Sequence, residues 1–209
     1  SKDGELNATG HSDNKYEYAG NTVDFYAGTF INNGNVTLNG VDAWAQYTKI
    51  SVDHADAVLN ITNGTKYEAN CTTGNVNANT FLYYNAGTVN IDETSSVNIE
   101  KATKLVEGAE LNIASANVIA KGDVDVTGNG AINFTALTAK LTAQDGLTIV
   151  DGVNDPDYAI AYLDGTYQYA KYVAQIGEAK YLTLAEAFAA AQNGETITLL
   201  GNVTEVFAI

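Results

Sequence analysis

From Val89 to Ile149 the chain returns again and again to apolar-x-apolar triplets, the alternation that buries one face of a short strand. They are Val89/Ile91, Val97/Ile99, Leu111/Ile113, Val124/Val126, Ile132/Phe134 and Leu147/Ile149. Taken by the second apolar residue of each strand, three columns emerge: Ile91, Ile113 and Phe134; Ile99, Ile119 and Leu141; Leu105, Val126 and Ile149. Their steps are 22 and 21, 20 and 22, and 21 and 23 residues. A recurrence of about 22 residues divided among three strands is what a three-faced parallel coil requires, since each face takes a few residues at about 3.3 Å each plus a turn. An antiparallel sandwich predicts no such vertical register. Turn-forming residues fall between the strands, at Asn85-Ala86-Gly87, Glu107-Gly108, Lys121-Gly122-Asp123, Thr127-Gly128-Asn129-Gly130 and Gln144-Asp145-Gly146. The pattern predicts an all-β chain folded as a right-handed parallel β-helix, a β-solenoid.

The same alternation continues upstream with looser spacing, in Phe30-Ile31-Asn32, Val36-Thr37-Leu38, Ile50-Ser51-Val52, Leu59-Asn60-Ile61 and Val76. Residues 1–30 gather Tyr16, Tyr18, Phe25, Tyr26 and Phe30. An open solenoid end exposes unpaired backbone and an apolar cross-section, so this aromatic segment is the expected N-terminal cap. A turn-rich acidic stretch with the single proline, Pro156, follows Ile149. It sets a boundary between a solenoid over 1–150 and a second region over 151–209. That region reads strand (172–176), helix (183–192), strand (196–200). Thr183 and Glu186 form a capping box, Leu184, Ala187, Phe188 and Ala191 an apolar stripe, and Asn193-Gly194 a stop.

The segments Val173-Ala174-Gln175-Ile176-Gly177, Tyr181-Leu182-Thr183-Leu184-Ala185-Glu186-Ala187-Phe188-Ala189-Ala190-Ala191, Gly194-Glu195-Thr196-Ile197-Thr198-Leu199-Leu200 and Asn202-Val203-Thr204 resemble a strand-helix-strand motif of large bacterial cell-surface proteins with parallel β-helix repeats. The resemblance spans 173–204 and brings no catalytic residue. It implies that the helix caps a coil and that the strand after it opens a stack. In such proteins further coils usually follow, whereas here the chain stops at Ile209. The expectation is a fragment of something longer or a unit that meets a partner at its end.

Composition narrows the function. Ten Lys plus Arg, all of them lysine, against 25 Asp plus Glu give a net charge of −15, a field that repels nucleic acid and anionic lipid. No apolar run approaches bilayer-spanning length, so no membrane insertion is expected. A single cysteine, Cys71, forms no internal disulfide and reads as a small buried residue. The start Ser1-Lys2-Asp3-Gly4 lacks an initiator methionine and suggests a processed chain. Few lysines with much Asn, Thr, Gly and Ala suit an extracellular or cell-surface location. Seven Asn-x-Ser/Thr triplets, at Asn7, Asn35, Asn60, Asn63, Asn70, Asn133 and Asn202, would be glycan acceptors in a eukaryotic secreted chain.

Candidate chemistry is sparse. A polysaccharide lyase on such a scaffold needs a basic residue to take the sugar proton, and glycoside hydrolysis needs converging carboxylates. The chain has no arginine, and its lysines are scattered. Asp53-His54-Ala55-Asp56 is the nearest acid cluster and reads as a turn between coils; Asp123 and Asp125 share a strand face. Asp151, Asn154, Asp155 and Asp157 set oxygen ligands at short spacing in a turn, which Ca2+ would accept without an EF-hand pattern. His11 and His54 are too few and too far apart for zinc. Of the tyrosines, the adjacent Tyr83 and Tyr84 point to opposite strand faces, leaving one to stack on a ligand such as a sugar. Val203, Val206, Phe207 and Ile209 offer an apolar tail for head-to-tail self-association. The reading is a non-enzymatic structural or adhesive module whose partners are other protein chains or surface glycans. A self-assembling fibre subunit and a carbohydrate-binding or carbohydrate-active β-helix are the alternatives.

Overall fold

The computed structural model describes residues 5–9, 22–32, 34–52, 54–69, 81–84, 87–100, 102–106 and 108–204. The chain divides into two compact units, Ser1–Val153 with Tyr162–Gln168 and Asn154–Ala161 with Tyr169–Ile209.

The first unit is a parallel β-helix. Its strands in chain order are β1 (Glu5–Thr9), β2 (Thr22–Asn32), β3 (Asn35–Asn39), β4 (Asp42–Val52), β5 (Val58–Thr62), β6 (Lys66–Ala69), β7 (Phe81–Tyr84), β8 (Thr88–Ile91), β9 (Ser96–Ile99), β10 (Thr103–Leu105), β11 (Glu110–Ile113), β12 (Val118–Ala120), β13 (Val124–Val126), β14 (Ala131–Phe134), β15 (Lys140–Thr142) and β16 (Ile149–Asp151). From β5 to β15 every third strand stacks on its predecessor, and the steps are shorter toward the two ends of the first unit. The first face is the parallel sheet β1-β3-β5-β8-β11-β14-β16. A second face runs from the start of β4 through β6, β9, β12 and β15. The third runs from the end of β4 through β7, β10 and β13. β4 is long enough to serve two faces, and β2 lies parallel along it from Thr22↔Asp42 to Asn32↔Val52.

Burial follows the alternation that makes these strands. On the first face Leu38, Ile61, Ile91, Ile113 and Phe134 form one unbroken inward column, each registered on the next and all fully or almost fully buried. The expected stack of Ile91, Ile113 and Phe134 is therefore present and extends two coils further back. The other two columns need correction. On the second face one inward column is Tyr67, Val97, Val118 and Leu141 and a second holds Ile99 and Ala120, while Ile119 pairs with Asn98 and Thr142 and is 37% exposed. The reason is the period of two: a shift of one residue moves a side chain to the opposite face. On the third face Leu105 does register on Val126, but Ile149 pairs with Ile132 on the first face. The last coil is shorter than the others, so counting residues forward from Val126 overshoots into the next face.

The two ends of the solenoid are built differently. Tyr16 and Tyr18 lie outside the described residues, and the aromatic stretch through Phe25, Tyr26 and Phe30 forms part of the regular strand β2. At the other end β17 (Tyr158–Leu163) and β18 (Thr166–Lys171) form a hairpin turning at Asp164 and Gly165, both with positive φ as a tight hairpin of right-handed twist requires. Within the first unit the tip of this hairpin runs antiparallel to β15, with Tyr167 opposite Leu141 and Thr166 opposite Thr142. The Tyr167 hydroxyl accepts from the Leu147 N–H, the Tyr162 hydroxyl donates to Ala143 O, and the two rings lie 4.7 Å apart. Reversed strand direction and two tyrosine rings thus terminate the second face.

The second unit holds β19 (Ala174–Ile176), β20 (Ala179–Tyr181), α1 (Leu184–Ala190) and β21 (Thr198–Leu199), with β19 between β20 and β21 in an antiparallel sheet. The capping box is formed: Glu186 N–H donates to Thr183 Oγ1, and Thr183 N–H donates to the Glu186 carboxylate. Ala174, Ile176 and Ala187 make its small core, with Val173, Tyr181, Leu184, Ala191 and Ile197 packed against it. Phe188, expected in the apolar stripe, is 44% exposed.

Tyr67 carries a liability inside the solenoid. Its ring is fully buried, its hydroxyl has no hydrogen-bond partner among the described residues, and burial pushes its ionisation far above the ordinary tyrosine range. An unsatisfied buried hydroxyl destabilises by about 1 kcal/mol or more. Tyr67→Phe, which keeps the ring and removes that group, is expected to leave stability unchanged or to raise it by about 1 kcal/mol in a urea titration. A clear loss would mean that the hydroxyl is bonded.

Candidate functional site

The most ordered surface feature is a file of asparagines on the outer face of the first sheet. Strands β5, β8, β11 and β14 place Asn60, Asn90, Asn112 and Asn133 at the same register position, each between two inward apolar residues. Each amide donates to the Oδ1 of the asparagine one coil earlier: Asn90 to Asn60 at 2.9 Å, Asn112 to Asn90 at 2.9 Å, and Asn133 to Asn112 at 2.7 Å. Asn60 donates in turn toward Thr37 Oγ1 and Asn35 Oδ1, both at 3.4 Å. The parallel register brings identical residues about 4.8 Å apart, which suits one amide-amide bond per coil. All donors point toward the N-terminal end, and the file closes on Val150, the register partner of Asn133. Apolar-Asn-apolar repeating at coil spacing is the signal in the sequence that reveals it. Two of the Asn-x-Ser/Thr triplets, at Asn60 and Asn133, have their side-chain nitrogens committed to this ladder. That of Asn63 has its Thr65 hydroxyl buried and bonded to Leu38 O and Thr62 O.

A second ordered element is the corner between the first and second faces. Asn63 and Gly64 take left-handed conformations there. Asp92, one coil later, accepts the Asn63 N–H at 2.7 Å as well as hydrogen bonds from Thr94 and the Ser95 N–H, while Thr94 Oγ1 accepts the Gly64 N–H. Partial desolvation raises the Asp92 pKa, but hydrogen bonds from Ser95, Asn63 and Thr94 together outweigh it and hold the carboxyl below the usual aspartate range. A depressed folded-state pKa means a contribution to stability that is complete above the unfolded aspartate pKa and is lost as pH falls through the folded one. The melting-temperature gap between the parent and Asp92→Asn is therefore expected to be small near neutrality and to close on acidification below the ordinary aspartate range; a gap that widens there would contradict the assignment.

Among the described residues the acids named from sequence do not converge. Asp53 lies outside the described residues. His54 and Asp56 sit in the turn leading into β5, where the Asp56 N–H donates to His54 Nδ1 and the Ala57 N–H to His54 O. Asp125 faces Lys104 at 3.9 Å, and Asp123, two residues away, is exposed. In the acidic turn, Asp151 accepts the Val153 N–H; Asp155 accepts the Asp157 N–H, and Asp157 lies 3.5 Å from the Lys180 ammonium. Among the described residues no group of three His, Cys, Asp or Glu side chains is placed to hold a metal ion. His11 and Cys71 lie outside them.

The proposed contact residues are placed as follows. Tyr84 holds the register position between Val52 and Leu105, both fully buried, and Tyr83 holds that between Ser51 and Lys104. Val203 is half-buried, and Val206, Phe207 and Ile209 lie outside the described residues. In the second unit the Lys171 ammonium sits 6.0 Å from the Tyr158 ring centre and that of Lys180 5.8 Å from Tyr172. No described helix is long and apolar enough to cross a membrane. In comparisons with known proteins, no family model, no curated protein and no solved structure matches the chain.

Proposed function

We propose that this chain is a non-enzymatic structural and adhesive module of an extracellular or cell-surface protein. The observation that carries the reading is the asparagine ladder. Along Asn60, Asn90, Asn112 and Asn133 the polar groups of the outer face bond to one another, which rigidifies a rod and leaves them little capacity for chemistry on a substrate. Dispersed carboxylates support the same reading, because hydrolysis of a glycosidic bond needs two of them facing each other across a few ångströms. The resemblance of 173–204 to the strand-helix-strand motif of bacterial surface proteins points to the same setting. Incubation of the purified chain with a panel of acidic and neutral polysaccharides is expected to release no new ends. Turnover that disappears in Asp56→Asn or Asp125→Asn would overturn the proposal.

One observation favours a second reading, the self-assembling fibre subunit. Among the described residues β16 and β13 end their sheets within the first unit, and a strand edge of that kind accepts another chain by strand addition. Concentration-dependent filaments in electron microscopy would select it; monodisperse rods at all concentrations would reject it.

A further inference from the structure

The chain contains five Asn-Gly pairs, beginning at Asn33, Asn39, Asn63, Asn129 and Asn193. In such a pair the glycine nitrogen can attack the asparagine side-chain carbonyl carbon, because no β-carbon obstructs the approach. The nitrogen must be free to swing toward that carbon. At three pairs it is held. Gly40 N–H donates to Thr62 O at 3.0 Å, Gly64 N–H to Thr94 Oγ1 at 2.9 Å, and Gly130 N–H to Thr127 O at 2.9 Å. Two of these bonds, those of Gly40 and Gly64, tie one coil of the solenoid to the next.

The pair Asn193-Gly194 is different. It forms the centre of a turn closed by the Glu195 N–H donating to Gln192 O at 3.1 Å, with Gly194 at a φ of 91°. A positive φ at the third residue marks a type II turn, whose central N–H lies outside the hydrogen-bonded ring. Gly194 N–H makes no hydrogen bond among the described residues, both residues are exposed, and nothing lies within 4 Å of where a glycine β-carbon would stand. We propose that Asn193 is a site of spontaneous deamidation in the folded protein, reacting ahead of Asn39, Asn63 and Asn129. The Gly194 nitrogen loses its proton to solvent and bonds to Asn193 Cγ; the side-chain nitrogen takes up a proton from solvent, the Cγ–Nδ2 bond breaks, and that nitrogen leaves as ammonia. Water then opens the resulting succinimide at either carbonyl, giving aspartate or isoaspartate. The new carboxylate stands two residues from Glu195, whose own carboxylate accepts the Gln192 N–H at 2.8 Å, so the turn that joins α1 to β21 gains a second negative charge.

The test is timed peptide mapping of the full chain at mildly alkaline pH, with enzymatic methylation to count isoaspartate, run in parallel under native conditions and in denaturant. Under native conditions Asn193 is expected to convert severalfold faster than Asn39, Asn63 and Asn129, and in denaturant the four rates should draw together. Equal native rates, or any of the other three leading, would overturn the proposal. A lead of Asn193 that persists in denaturant would overturn it too, because the ranking would then belong to the local sequence and not to the fold.

Discussion

Replacing Ile113 with alanine is expected to lower the unfolding free energy by about 2–5 kcal/mol, while Ile119→Ala, six residues on, is expected to change it by no more than about 0.5 kcal/mol. Ile113 is wholly buried between Ile91 and Phe134 in an inward column of the first face, so truncation removes apolar burial and leaves a cavity that rungs above and below cannot collapse into. Ile119 points outward on β12 and is already 37% exposed. Both residues belong to apolar-rich strands of similar composition, and only the register separates them. Urea denaturation of the two variants side by side reads the difference; equal losses would mean that β12 is rotated by one residue from its described register.

Gly87→Ala is expected to destabilise by about 3 kcal/mol, close to the upper end of the usual overpacking range. A β-carbon at Gly87 would overlap Val52 Cγ1 and would lie 2.7 Å from Ala57 O and 2.9 Å from His54 O. Two of these neighbours are backbone carbonyls of the turn entering β5, and they cannot rotate away. The corner between the third and first faces is filled by Ala57, Gly87, Ala109 and Gly130, because successive coils approach too closely there for anything larger. Gly108 supplies the contrast: its φ of 84° makes an alanine unfavourable by about 1 kcal/mol, but nothing lies within 4 Å of the added carbon. Thermal unfolding should therefore rank Gly87→Ala well below Gly108→Ala. The reverse order would show that the corner is looser than described.

The solenoid was readable in the sequence wherever coils are near 22 residues. The steps from Ile91 to Ile113 and Phe134 carry vertical register directly, because each coil must return to the same face. Prediction failed where coil length or phase departs from that value. Val118-Ile119-Ala120 is three consecutive apolar residues, so the pattern leaves its phase open, and the inward positions are Val118 and Ala120 and not Ile119. Ile149 was misplaced because the last coil is short. The capping box of α1 was legible from Thr183 and Glu186 alone, since both hydrogen bonds are local. Its neighbour β20 was not foreseen, because a three-residue strand beginning with Ala179 carries too little alternation. The asparagine ladder is a different case: it rests on the residues between the apolar positions, on which alternation is silent although their identity repeats with the coil. The antiparallel closure by Tyr162 and Tyr167 depends on contacts with Ala143 and Leu147 that no local pattern announces.

The stacking of one coil on the next is tested most directly by spin-label distances. In a Cys71→Ser background, one label replaces Asn35 and the second replaces Thr88, Glu110 or Ala131 in turn; these positions share one outward register on the first face. With about 4.8 Å between neighbouring strands, the backbone separations should grow in equal steps, from about 10 Å to about 14 Å and about 19 Å. A sequence of distances that rises evenly from Thr88 through Glu110 to Ala131 is the predicted result; distances that shrink or change order along that series would contradict the parallel coil.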